Sequence, residues 1–557
     1  MPGRKLHPPE RVADYTARGW WSRDTMDALL RAQVARQPDR LAVVDPANKA
    51  ALVGSAPRRL TWAELDLETN RLAAVLLSQG AQEGDVLGVQ LPNTVELVVA
   101  YLAAWRIGLI VTPFPVQFRE HEIVPLSNLA DVKYFLTTSR IGDRAHAEEF
   151  LGYGIAPVLA HGDDLPEGVL PLDELTAAAD PSTVEPVDAD PNDCVTICWT
   201  SGTESTPKGV PRSHYDWLAI CWATVEAPRL TEDDVLLNPF PMVNMAGING
   251  MFLPWLRVGC ILVQHHPFDL PTFLQQITTE RVTYTVAPPA LLTLLLQRDE
   301  LLAAADITSL RQIGSGSVPL QPPMVRGWQD RYGIGIINFF GSNEGISLLT
   351  DPHDVPDPEQ RARFFPRYGV PGYTWSSRVT EWTSVRLVDP ATGEEVTEPG
   401  VPGELRLKGP TVFAGYLHGE RLASPFDEEG YLRTGDVFVI AGDHMQFLEY
   451  VDRAKDLVIR GGMNIAPAEL EGLIAAHPAV ADVAIVGYPD DVLGERVCAV
   501  VVPRDGAELD LPGLVEFLKE KRIASYKLPE RLELRPALPR NPVGKVLKRS
   551  LREEIVA

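Results

Sequence analysis

Residues 199–214 read WTSGTESTPKGVPRSH and follow Cys194 to Cys198, a short β-branched run (CVTIC) with the character of a strand. Three hydroxyl residues, Thr200, Ser201 and Thr203, surround Gly202, and Pro207, Lys208 and Gly209 close the turn. Such a loop suits a polyphosphate. Glycine lets the backbone approach an anion, hydroxyls and free backbone N–H groups bond its oxygens, and a lysine adds a mobile positive charge. It is not a Walker A loop, because no glycine precedes Lys208 and Gly209 stands where the magnesium-binding Ser or Thr would be. Read alone, the same residues also fit a polar surface loop between a strand and the next element.

At 557 residues the chain is too long for one ordinary domain and allows two to four. Its 45% hydrophobic and 23% charged residues are those of a globular enzyme, not of a disordered or fibrous chain. The formal charge of -24 argues against nonspecific binding to nucleic acid or anionic membranes, so a polyanionic substrate must meet a local basic site. Five cysteines (Cys194, Cys198, Cys221, Cys260, Cys498) show no paired ligand spacing and read as buried free thiols. The opening MPGRKLHPPERVADYTARGWW lacks the apolar core of a signal peptide. The most apolar early segment, Leu97 to Val111, carries Arg106 and is too short to span a bilayer. A cytoplasmic protein without a membrane span is the expectation.

Around the glycine-containing loop, helical and strand patterns alternate. Asp24 to Arg36 reads as an amphipathic helix, Leu41 to Val44 as a strand, Thr61 to Gln79 as a helix with Thr61 as N-cap, and Val86 to Leu91 as a strand. Val235 to Leu237 and Cys260 to Val263 continue as strands, and IGSGSVPL (Ile313 to Leu320) and NFFGSNEG (Asn338 to Gly345) each end an apolar, strand-like run. Short apolar strands separated by helices imply a mostly parallel sheet covered on both faces, which binds ligands beyond the carboxyl ends of its strands. Asp351 to Pro366, rich in Asp and Pro, reads as an exposed excursion. Near Tyr450 the composition changes and a compact α+β unit begins. Pro467 opens a helix to about His477, Val480 to Val486 and Val497 to Val502 alternate as strands, and Leu511 to Arg522 is amphipathic.

The 199–214 stretch resembles the nucleotide-phosphate loop TSGTTGxPKG of the adenylate-forming superfamily, which includes acyl-CoA synthetases, firefly luciferases and peptide-synthetase adenylation domains. Glu204 and Ser205 replace the usual Thr-Gly pair. LPNTVELVVAYLAAWRIGLIVTPF (Leu91 to Phe114) is similar to a second block of that superfamily, and TARGWWSRDT to the opening of its aryl- and alicyclic-acid-activating members. The resemblance implies an α/β fold: a large N-terminal domain of mostly parallel sheets packed with helices, residues 1–451, and a small mobile α+β C-terminal domain, residues 452–557.

The resemblance also implies roles. Thr200, Ser201, Gly202 and Thr203 bind the ATP phosphates, and Thr203 with Glu344 holds Mg2+; by residue type alone, Glu344 is only a loop carboxylate. Gly314, Ser315 and Gly316 contact adenine through the backbone, Phe340 stacks on it beside Gly341, and Asn343 sits near the α-phosphate. Phe340 stands in place of the common Tyr and Asn343 in place of the common Thr. In YLRTGD (Tyr431 to Asp436), Asp436 accepts the ribose hydroxyls and Arg453 contacts the same sugar; without the family match Asp436 would read as a turn residue. Asn244, Met245, Ile248 and Phe339 line the acyl pocket. Asn244 replaces a common His and fits a helix cap equally well. No Lys or Arg lies between Asn238 and Leu256, so the acyl group is expected to be neutral and largely apolar. Lys455 is the implied hinge, Gly461 and Gly462 of GGMNIAPAELE meet CoA, and Lys545 of LPRNPVGKVLKRS is the adenylation lysine rather than a solvated charge.

The activity so implied is that of an ATP-dependent carboxylic acid–CoA ligase. Its cofactors are ATP, Mg2+ and coenzyme A, its catalytic residues Lys545, Lys208 and Glu344, and its substrate an aromatic, alicyclic or short-to-medium aliphatic monocarboxylic acid. Two alternatives stand beside it: a stand-alone adenylating enzyme that loads a carrier protein, and a noncatalytic adenylate-binding protein. The wording GGMNIAPAELE is closer to acid–CoA ligases than to carrier-loading domains. A binding protein would have lost the metal and lysine positions, yet Lys208, Glu344, Asp436 and Lys545 are all present.

Overall fold

The computed structural model describes residues 5–200, 207–453, 456–460, 463–490, 493–521, 523, 525–540 and 545–556. The expected ligand residues Ser201, Gly202, Thr203, Gly461 and Gly462, the hinge Lys455, and the variant pair Glu204 and Ser205 lie outside them. The protein is α/β and forms two compact units, one drawn from residues 1–200, 206–384 and 408–430, the other from 385–407 and 431–557.

The first unit holds two mostly parallel sheets. Eight strands of one sheet lie in the order Ser347–Thr350, Gly335–Gly341, Gln312–Gly316, Tyr284–Val286, Val235–Asn238, Ile261–Gln264, Leu41–Val44, Arg59–Thr61, and only the two outermost pair antiparallel with their neighbours. From Val235–Asn238 the chain steps outward to Ile261–Gln264, then crosses back to Tyr284–Val286 and proceeds the other way. Where strand order reverses, the loops at the carboxyl ends diverge and leave a crevice. The second sheet has the order Leu170–Pro171, Val158–His161, Val132–Thr138, Val86–Val89, Ile110–Pro113, Cys194–Trp199, Gly209–Ser213, with only the last pair antiparallel.

Local chemistry starts the helices where the residues say it should. Thr25 accepts the Ala28 N–H and opens Met26–Arg36, and Thr61 with Glu64 forms a reciprocal capping box at the start of Trp62–Ser78. Every residue of Val86–Val89 and Ile110–Pro113 is buried, as strands covered on both faces must be. All five cysteines are buried free thiols, and burial pushes each thiol pKa up. The expected exposed excursion at 351–366 is corrected. It folds into the helix Pro358–Arg363 and the strand Phe364–Pro366, with Arg361 fully buried. The Arg361 guanidinium donates to the carbonyls of Ile336 (2.8 Å), Val355 (2.7 Å) and Pro356 (3.0 Å), so a charge that looks solvated in sequence ties the segment down. No helix among the described residues is long and apolar enough to cross a membrane.

The second unit includes an antiparallel run in which Gly403–Lys408 pairs with Leu432–Ala441 and that strand with Phe447–Arg453. Its other sheet is built on the long hairpin Val480–Asp490 and Gly494–Pro503. Side chains alternate faces along these strands. Ile485, Val497, Ala499 and Val501 share a core with Leu470, Ile474, Leu514 and Leu518 of the helices Pro467–Ala475 and Leu511–Glu520. Ala484, Val486, Cys498 and Val500 pack instead with Leu551 and Ile555 of Lys548–Val556.

Candidate active site

Cys194–Trp199 returns as Gly209–Ser213, with Trp199 opposite Gly209. At the turn, Thr200 N–H donates to the Lys208 carbonyl (3.0 Å) and Lys208 N–H to Thr200 Oγ1 (3.1 Å). The two paired strands are thus joined twice more at Thr200 and the Lys208 backbone. Indole N–H donors hold the strand beneath it, Trp199 to Thr112 Oγ1 (2.9 Å) and Trp217 to Thr196 Oγ1 (2.8 Å).

Lys208 and Glu344 share a neighbour. The Lys208 ammonium lies 5.1 Å from the centre of the Tyr416 ring, and the Tyr416 hydroxyl donates to Glu344 Oε1 at 2.9 Å. Phe413 N–H holds the Glu344 carbonyl at 3.0 Å. The next residue, Gly345, has φ +107°, and a Cβ there would sit 2.0 Å from the Thr411 carbonyl oxygen, so glycine is required for this loop to lie against Thr411. Glu344 Oε2 makes no hydrogen bond among the described residues. A half-buried carboxylate with one oxygen fixed and the other open suits Mg2+, a hard ion that takes one or two carboxylates and keeps much of its water. Nothing in the sequence pointed to Tyr416. It is 72 residues from Glu344 and belongs to no motif recognised there.

The candidate adenine platform lies at the carboxyl ends of two adjacent parallel strands, with Gly316 opposite Phe339. A Cβ on Gly316 would fall 2.2 Å from the Phe339 carbonyl oxygen, and one on Gly314 would meet the Phe339 ring at 2.8 Å. Ser315 turns its hydroxyl inward to the Ala287 carbonyl (2.8 Å). Phe339 and Phe340 point to opposite faces by strand alternation. Phe339 and Met245 are both half-buried against the main apolar core, whereas Phe340 neighbours Phe365, with ring centres 5.8 Å apart. Gly341 follows at an exposed position. Ser342 Oγ is buried without a hydrogen-bond partner among the described residues.

Of the two readings of Asn244, the cap is observed: its Oδ1 accepts the Ala246 N–H at 3.0 Å. Ile248 is fully buried and opens the π-helical turn Ile248–Phe252, a local irregularity frequent at functional sites. Met245 N–H donates to Asn343 Oδ1 at 2.8 Å. The carbonyl end of that amide is therefore engaged, and its NH2 end donates to none of the described residues. The acyl-pocket candidates and the Glu344 loop are joined through Asn343.

In the second unit, Asp436 and Arg453 sit directly opposite each other on paired strands, with Arg453 Nε 3.3 Å from Asp436 Oδ1. Asp436 N–H donates to Thr434 Oγ1 (3.1 Å) and the Thr434 hydroxyl to the Leu405 carbonyl (2.7 Å), which fixes the backbone midway along Leu432–Ala441. Lys545 is exposed just before Lys548–Val556. That helix is held by Lys548 on Glu471 (2.8 Å) and Arg552 on Asp456 (3.1 Å), the latter next to the expected hinge.

The family model described as AMP-binding enzyme matches residues 30–417, and the AMP-binding enzyme C-terminal domain matches 469–545. The chain is 32% identical to pyochelin synthase PchD of Pseudomonas aeruginosa, over 98% of this chain and 95% of that one. It is 31% identical to a salicyl-AMP ligase / salicyl-S-ArCP synthetase of Mycobacterium tuberculosis (98% and 93% covered) and 30% to a medium-chain fatty-acid–CoA ligase of Escherichia coli (98% and 93%). Its fold superposes on ATP-bound MatB from Rhodopseudomonas palustris with a TM-score of 0.77 at 27% identity, covering 95% and 99% of the two chains. With its phosphate-type hairpin, its glycine-lined strand ends and both family models in register, this chain belongs to the AMP-binding enzymes of the adenylate-forming superfamily.

Proposed function

We propose that the enzyme activates an apolar monocarboxylic acid, aromatic, alicyclic or short-to-medium aliphatic, as its acyl-adenylate and transfers the acyl group to the thiol of coenzyme A. The observation that carries the first step is the Lys208–Tyr416–Glu344 cluster: a cation and an open carboxylate held on one tyrosine beside the hairpin loop. A carboxylic acid is already ionised at neutral pH, so its oxygen attacks the α-phosphorus of ATP without a general base, and pyrophosphate leaves. The obstacle is repulsion between anions. Lys208 and Lys545 offset it, Asp436 and Arg453 orient the ribose, and Phe340 with the backbone of Gly314–Gly316 receives adenine. Bound by Glu344 and Thr203, Mg2+ would supply further charge neutralisation at the phosphates. Phe339, Met245 and the cation-free segment after Asn238 favour an uncharged acyl group. In the second step the thiol gives up its proton to solvent, its sulfur bonds to the acyl carbon, and the bond from that carbon to the AMP oxygen breaks, releasing AMP. This step uses Gly461 and Gly462 after residues 452–557 have turned about Lys455.

A second reading replaces coenzyme A by the phosphopantetheine thiol of a carrier protein. It is favoured by the likeness, over nearly the whole chain, to a salicyl-S-ArCP synthetase. Incubation with ATP, a library of acids and either CoA or a carrier protein, followed by mass spectrometry, decides between them. Acyl-CoA formation is expected, with AMP and pyrophosphate as stoichiometric products. Release of ADP and orthophosphate would overturn both readings, and acylation of the carrier alone would overturn the first.

A further inference from the structure

Arg212 is fully buried, yet no step above uses it. Its guanidinium donates from Nη1 to the Asn343 carbonyl (2.7 Å) and from Nη2 to the Thr411 carbonyl (2.9 Å), while Nε lies 3.2 Å from Asp216 Oδ1. The Trp217 ring covers it at 4.5 Å. Asp216 is also fully buried, accepts the Ser213 N–H (2.9 Å) and lies 3.2 Å from His7 Nε2. A buried ion pair is a weak source of stability, because desolvation of both charges offsets their attraction, and apolar residues of the same volume often serve as well. The pair therefore needs another explanation, and the two carbonyls supply it.

Those carbonyls belong to the segment that bears the proposed metal carboxylate and to the segment that holds it. Asn343 precedes Glu344 and receives Met245 N–H on its side chain. Thr411 faces Gly345 and belongs to the same segment as Phe413 and Tyr416, which hold the Glu344 carbonyl and carboxylate. Leu417 N–H in turn donates to the Gly209 carbonyl on the strand that bears Arg212 (2.9 Å). One rigid fork thus pins both segments to the hairpin whose turn carries Lys208, at separate donors a lysine could not reproduce.

We infer that Arg212, backed by Asp216 and His7, is a positioning residue that holds the Glu344 carboxylate and the Met245 segment at a fixed distance from Lys208. The inference rests on the ATP-dependent reading, which wild-type turnover tests separately. The experiment compares wild type, Arg212→Lys and the double variant Arg212→Gln with Asp216→Asn, which leaves no lone buried charge. Binding of ATP is measured by calorimetry with and without Mg2+, beside KM and kcat of adenylation and the melting temperature. The expected result is a folded Arg212→Lys protein whose affinity for ATP with Mg2+ falls about tenfold or more, whose affinity without the metal stays within twofold, and whose KM for the acid also rises. Equal losses with and without Mg2+, unchanged binding and kcat in either folded variant, or failure of both variants to fold would each overturn it, the last by making Arg212 a folding residue.

Discussion

Tyr416→Phe isolates one hydrogen bond at the candidate metal carboxylate. The bond is 2.9 Å long and its acceptor is an ionised carboxylate, a class worth about 1.5–3 kcal/mol when intact. Both partners are half-buried, so water replaces part of it, and the loss expected is about 1–2 kcal/mol, or roughly 5- to 30-fold in kcat/KM for ATP with Mg2+. The phenyl ring keeps its face, so Lys208 retains its cation–π contact at 5.1 Å. Tyr416→Leu removes both contacts and is expected to cost about a further 0.5–1 kcal/mol. ATP–pyrophosphate exchange with a good acid substrate reads the adenylation half-reaction alone, and thermal unfolding of each variant checks that the fold is unchanged. If Tyr416→Phe exchanges at the wild-type rate, or if the Phe and Leu variants are equally impaired, the tyrosine does not orient Glu344 and Lys208.

Other substitutions probe the remaining parts of the site and fold. Lys545→Ala is expected to lose adenylation by roughly two to three orders of magnitude, yet to convert synthetic acyl-AMP and CoA to thioester near the wild-type rate; quenched assays showing equal loss in both halves would make the lysine structural. Gly316→Ala places a methyl 2.2 Å from the Phe339 carbonyl oxygen, an overpacking of about 1–3 kcal/mol, and should weaken AMP binding in calorimetry. Gly152→Ala, where a methyl meets nothing within 4 Å, should instead leave AMP binding unaltered. For pH, burial lowers His146 and His266 from 6.5 to about 4. Above pH 6.5 both are neutral folded or unfolded; below it the unfolded chain binds protons that the native state refuses. Stability should therefore fall between pH 6.5 and 4 by about 1.4 kcal/mol per unit for each histidine. Denaturant melts of His146→Asn should show a shallower slope over that window, and an unchanged slope would contradict the assignment. Monocarboxylates should exceed dicarboxylates of similar size in the exchange assay, since an unpaired buried carboxylate costs several kcal/mol; a dicarboxylate as best substrate would show that a cation from elsewhere lines the pocket.

The residues by themselves determine what is local or periodic. Leu41–Val44 coincides with its apolar run, Thr61 caps the helix it precedes, and the strands carrying Gly314–Gly316 and Phe339–Gly341 end where glycine allows close approach. These outcomes depend on neighbours within a few positions, so sequence carries them. The Asn244 cap is equally local, since its Oδ1 accepts the Ala246 N–H two residues on. But sequence could not bury Arg361 or Arg212. Each looks like a solvated charge until distant carbonyls are brought around it, Ile336 and Val355 for the first, Asn343 and Thr411 for the second. Tyr416 finds Glu344 for the same reason, through a loop pressed against the hairpin strand by Gly345 and Leu417. Charge and hydrogen-bonding capacity belong to the residue type, but which partner satisfies them is decided only when packing removes water, and that depends on contacts the order of residues does not display.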